Sequence, residues 1–104
     1  MSGTIDVVRG AVHVPALVAR TYFSGVDAVA VLIDGAVLRI LPIHHAAAGG
    51  CLLKQRNAAG DRVAAAFDVF ESRGLGNWEA FALPARWSAE DAALLVEIPE
   101  ALIT

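Results

Sequence analysis

Val26-Asp27-Ala28-Val29-Ala30-Val31-Leu32-Ile33, then Asp34-Gly35, then Ala36-Val37-Leu38-Arg39-Ile40-Leu41-Pro42-Ile43 is the stretch that decides the fold. Two runs rich in β-branched residues flank Asp-Gly, a pair suited to tight hairpin turns because both residues tolerate positive φ. A two-residue Asp34-Gly35 loop sets Ile33 opposite Ala36, Val31 opposite Leu38 and Val29 opposite Ile40. Side chains alternate along a strand, so these six share one face. Val26, Ala28, Ala30 and Leu32 share the other with Val37, Arg39, Leu41 and Ile43. A hairpin with one wet face alternates apolar and polar residues; here only Arg39 interrupts the second face. Burying a Val, Leu or Ile gains about 1.5–3 kcal/mol, whereas fixing each residue's backbone costs about 1–2 kcal/mol. A face left in water does not offset that cost. Both faces are therefore expected to be covered, by a second sheet, a helix or another subunit.

Composition points the same way. The chain has 104 residues, which fits one domain spanning 1–104. Hydrophobic residues make up 57% and charged residues 18%, against roughly 45–50% and 25% in ordinary domains. That excess favours a homo-oligomer, a dimer in the simplest case, or a stable protein partner. Eight basic and eleven acidic residues give a net charge of −3, which argues against nucleic-acid binding through phosphate neutralisation. Cys51 is the only cysteine, so no internal disulfide forms, and a reducing, cytoplasmic setting is expected. The N-terminus lacks the basic start and apolar core of a signal peptide, and no apolar run reaches bilayer length.

The flanking chain reads as further short strands with short helices. Ile5 to Arg9 is a first strand, with Gly10 as a break before Val12-His13-Val14. Pro15 suits a first helical turn, and Ala16 to Phe23 follow as a short helix. His44 to Gly50 is a connection. Cys51 to Arg56 is a strand, and Asn57-Ala58-Ala59-Gly60 a type I turn closed by glycine. Asp61 to Val63 start the return. Val63, Phe67 and Phe70 repeat at helical spacing, so 65–73 is read as a helix ending near Gly74, with a strand as the alternative. Trp78 to Trp87 alternates, putting Phe81, Leu83 and Trp87 on one side, and Pro84 belongs at an edge or beside a bulge. Ser88 with Asp91 could cap a helix, but Pro99 follows closely, so Leu94, Val96 and Ile98 are read as the inward positions of a last strand. The expected fold is α+β: mostly antiparallel strands, a small barrel or sandwich built on hairpins, with short helices.

Candidate chemistry is sparse. His13, His44, His45 and Cys51 are the residues a metal or small-molecule site would draw on. Adjacent histidines on an extended chain point to opposite sides, and the spacing matches no zinc pattern. Cys51 would need a base or cation beside it to be reactive; a small apolar core residue is the simpler reading. Lys54, Arg56, Asp61 and Arg62 form either an anion-binding tip or a solvated turn with cross-strand charge pairs. Trp78 and Trp87 are read as packing inward. No catalytic set, metal site or cofactor is expected.

From Ile5 to Ile43 the order is strand, Val12-His13-Val14-Pro15, short helix, Gly25-Val26-Asp27, strand, Asp34-Gly35, strand. That order resembles the swapped-hairpin domains of AbrB, MazE and MraZ-type proteins. The resemblance implies an intertwined homodimer and DNA contact by basic residues near the start, here Arg9 and Arg20. Three functions stand as expectations: a non-enzymatic homo-oligomeric accessory or interaction domain and, as alternatives, a DNA-binding regulator of the swapped-hairpin type and a small-molecule or metal-binding protein.

Overall fold

The computed structural model describes residues 3–44 and 50–102. Among them are eight strands: β1 Gly3–Val8, β2 Ala11–Val14, β3 Ala28–Asp34, β4 Val37–Ile43, β5 Cys51–Gln55, β6 Arg62–Ala65, β7 Glu79–Ser88 and β8 Ala93–Glu97. Two short helices, α1 Ala16–Tyr22 and α2 Phe67–Glu71, and a final 3-10 turn, Glu100–Leu102, complete the chain. Every neighbouring strand pair is antiparallel, and the sheet closes as a barrel in the order β1-β2-β6-β5-β3-β4-β8-β7. Of the barrel and the sandwich that the sequence left open, the chain forms the barrel.

The interior is filled by alternate residues of each strand. Ile5 and Val7, Val12 and Val14, Val29 and Val31, Leu38 and Ile40, Leu53, Ala64, Ala85, Leu94 and Val96 are all buried in one cluster. An eight-stranded barrel is just wide enough for side chains to fill it. The two ends are closed by aromatics. At one end α1 carries Tyr22, stacked on Trp87 with centroids 5.0 Å apart, and the fully buried Phe23 meets the same ring edge-on at 6.3 Å. At the other end α2 inserts the fully buried Phe70 beside Trp78, 6.3 Å away. Both tryptophans pack on the core as read.

The central hairpin forms, but its register is displaced by two. Asp34 pairs with Val37, Ile33 with Leu38, Val31 with Ile40 and Ala28 with Ile43. The loop is thus Gly35-Ala36, not Asp34-Gly35. Gly35 holds φ 62° and Ala36 is not among the positive-φ residues, the sign pattern of a type II′ turn with glycine first. A slip of two leaves side chains on their original faces, whereas a slip of one would have inverted them. The two sets therefore stand as read except for Val26, which precedes β3 and is buried in the core.

Other boundaries moved for local reasons. The first strand ends at Val8 because Arg9-Gly10 turn the chain into β2, with φ of 45° and 84°. The Asn57–Gly60 turn is present, its glycine amide donating to the Asn57 carbonyl at 3.2 Å. The helix read over 65–73 shortens to α2, because Arg62–Ala65 pair with both β2 and β5. Phe81 is not on the inner side of β7. Phe81 and Ala82 together oppose Asp6, a bulge that throws Phe81 outward to 65% exposure. Pro84 follows this bulge.

Candidate interaction surface

The outer surface carries an apolar field centred on β3 and β5. The registers align Ile43 on β4, Ala28 on β3 and Leu52 on β5, and Ala65 on β6 with Ala11 on β2, the two lines adjoining just beyond the Leu53–Ala64 pair of β5 and β6. Leu41 and Ala30 form the next row, and Leu32 pairs with Arg39 beyond it. Leu52 is 64% exposed, Leu32 50% and Phe67, just after β6, 49%. The rest of the outer hairpin face is only partly covered. Small residues at the centre and large aliphatics around them leave a flat, greasy surface.

A depression of about 570 Å³ opens in this field, lined by Ala30, Leu32, Gly50, Cys51, Ala65 and Phe67 among others. It exists because β5 pairs with β3 only at Ala28 and Val29, so the far half of β3 faces α2 instead of a strand. Arg73 seals part of that seam by donating to the Ile33 carbonyl at 2.9 Å. Cys51 is half-buried there, and burial raises its thiol pKa. It is a neutral, poorly nucleophilic thiol.

Charge reaches the field at its edges, where Asp68 lines the depression and Arg39 pairs with Leu32. Lys54 projects from β5 on the side of Leu52 nearer α1; Asp68 opens α2 on the opposite side. Both are exposed, and among the described residues neither has an ion pair. Arg39 is drawn to Asp34 and Asp91, at 3.5 and 3.6 Å, on the far flank.

The other sequence candidates are dispersed. His13 stands on the outer face of β2, in register with Asp6 and Val63. Burial and the nearby Arg56 lower its pKa, with Asp6 opposing them. His44 is exposed after β4, and His45 lies outside the described residues. No group of three or more His, Cys, Asp or Glu able to hold a metal occurs among the described residues. Arg9 sits in the β1–β2 turn, paired with Glu79 at 3.4 Å, and Arg20 is exposed on α1.

Among the described residues the charged tip at β5–β6 holds no cross-strand ion pair. Asp61 Oδ1 accepts the Ala16 amide at 2.7 Å, capping α1 from across the barrel end, and Asn57 Nδ2 donates to its other oxygen at 2.9 Å. Those bonds hold its carboxyl below the usual range. Arg62 lies on the same side of β6 as buried Ala64, and donates to the carbonyls of Val26 and Leu53. It ties the α1–β3 link to β5.

The chain matches no family model, no curated protein and no solved structure. Its surface is the remaining guide to function. A second concavity, about 1100 Å³, runs over β1, β7, β8 and the start of β4 past Val37, Pro84, Arg86, Leu95, Glu97 and Pro99. Leu83, Leu95 and Ile98 also line it, the last two buried. No helix among the described residues is long and apolar enough to cross a membrane.

Proposed function

We propose that this protein is a non-enzymatic interaction domain that self-associates through the outer face of β3, β4, β5 and β6. One observation carries the reading: Ile43, Ala28, Leu52, Ala65 and Ala11 form an apolar band on the outer face, with Leu32, Leu52 and Phe67 at or near half exposure or above. Monomers seldom leave so contiguous an apolar field in water. Closure of the barrel adds to the argument. A closed sheet leaves little free edge for strand addition, and α2 stands against the half of β3 that β5 does not pair, so association falls to a face. A standard interface takes about 800 Å² from each partner, roughly one-seventh of the 5927 Å² surface. The scattered His, Cys and carboxylate side chains support no catalytic role.

Size-exclusion chromatography with light scattering tests this. The native chain is expected to elute at a multiple of its 10.9 kDa mass at micromolar concentration. Leu52→Glu should reduce it to a folded monomer. A native chain that stays monomeric at 100 μM, on the order of the weakest stable complexes, would overturn the reading.

A further inference from the structure

We infer that the partner on this face is a second copy related by a two-fold axis along the Ile43–Ala28–Leu52–Ala65 row, setting Lys54 of each copy against Asp68 of the other. This rests on the self-association proposed above and specifies its symmetry and its ionic contacts.

The geometry is as follows. Lys54 and Asp68 flank the Leu52–Ala65 row on opposite sides, measured along the strands. A two-fold axis lying in the plane of the face, along that row, reverses the strand direction between the copies. The α1-proximal side of one copy then lies over the α2-proximal side of the other. Basic Lys54 meets acidic Asp68 twice, once at each border, which is the reciprocity an isologous interface requires. Neither Lys54 nor Asp68 has an ion pair within its own chain among the described residues, so pairing across the axis breaks nothing.

Charge reversal tests the arrangement. Lys54→Asp puts carboxylate against carboxylate at both borders, and Asp68→Lys puts ammonium against ammonium. Each variant alone should weaken association at least tenfold. An equimolar mixture of the two should recover it as a heterodimer, because both borders then pair opposite charges. The double variant Lys54→Asp/Asp68→Lys should recover it as a homodimer. Both positions are exposed, and recovery in the mixture proves that each single variant is folded. A thiol reagent gives a second reading: Cys51 should react more slowly in the native assembly than in either single variant.

The outcomes separate the two claims. If the native chain is oligomeric, Leu52→Glu dissociates it, and the single reversals stay associated, the face is right and the two-fold pairing is wrong. If the singles dissociate but the mixture does not recover, the pairing is also wrong. A monomeric native chain overturns both.

Discussion

Ala82 holds φ 54° in the β7 bulge, a conformation that costs an L-residue about 1–2 kcal/mol. The bulge persists because Asp6 Oδ1 accepts the Ala82 amide at 2.8 Å from a strand 76 residues away in sequence. Ala82→Gly should therefore stabilise the fold by about 1 kcal/mol, read as a higher urea midpoint with unchanged slope. Asp61 makes a pH-dependent contribution. Its folded pKa lies below the ordinary 3.8, chiefly through Asn57 and then the Ala16 amide. Its stabilisation is complete above 3.8 and is lost as pH falls through the lower folded value. Asp61→Ala should thus lower Tm at pH 7, with the gap to the native chain narrowing near pH 3. His13 works in the same direction at a higher window. Burial lowers its pKa from 6.5, so the stability of its neutral form is held above 6.5 and declines as pH drops towards the folded value. His13→Gln should lose less Tm between pH 7 and pH 5 than the native chain does.

At the scale of the element, α2 does most with least. Five residues close one barrel end, and Phe70 is the plug. Phe70→Ala should cost about 3–5 kcal/mol in urea unfolding, as large aromatic truncations in cores do. Phe67, three residues earlier and half exposed, should cost far less. That contrast marks the limit of the sequence reading. Val63, Phe67 and Phe70 repeat at helical spacing, which read as one buried stripe. Instead Val63 belongs to β6, and α2 is too short to present a stripe. Periodicity over eight residues cannot separate a helix from a strand that turns into one. The hairpins were legible because turns and alternation are local: β3–β4, β5–β6 and the inward set of β8 stood in the residues themselves. The two-residue register error arose because Asp-Gly and Gly-Ala both make tight turns, and only cross-strand packing chooses. The Phe81 bulge was invisible because its cause, Asp6, lies on a strand at the far end of the chain. Asp61 as a helix cap and Arg62 as an inward tie were missed for the same reason, since their partners are 45 and 36 residues away.

For the whole molecule, closure turns a local feature into a global constraint. The pairings β1–β7 and β4–β8 close the ring, and closure leaves neighbours mainly faces and loops. The inner faces are sealed, so the excess apolar residues that set this composition apart must lie outside. Three of the large exposed ones, Leu32, Leu52 and Phe67, gather beside one another, while Leu17, Phe81 and Leu102 stand apart. The candidate surface was legible to that extent: the outer face of the Asp-Gly ribbon stood out in the sequence, while Leu52, Ala65 and Phe67 joined it only through barrel registers. Association on that face links stability to concentration, because unfolding then also separates the chains. A hundredfold rise in protein concentration shifts a dimer's unfolding by about 2.7 kcal/mol, or roughly 1.4 kcal/mol per chain. For a domain of this size that is a rise in Tm of about 5–10 °C. Calorimetry of the native chain from micromolar to hundreds of micromolar should show that rise, while Leu52→Glu should melt at one temperature throughout. A flat native Tm over the same range would mean that the apolar face carries no second chain.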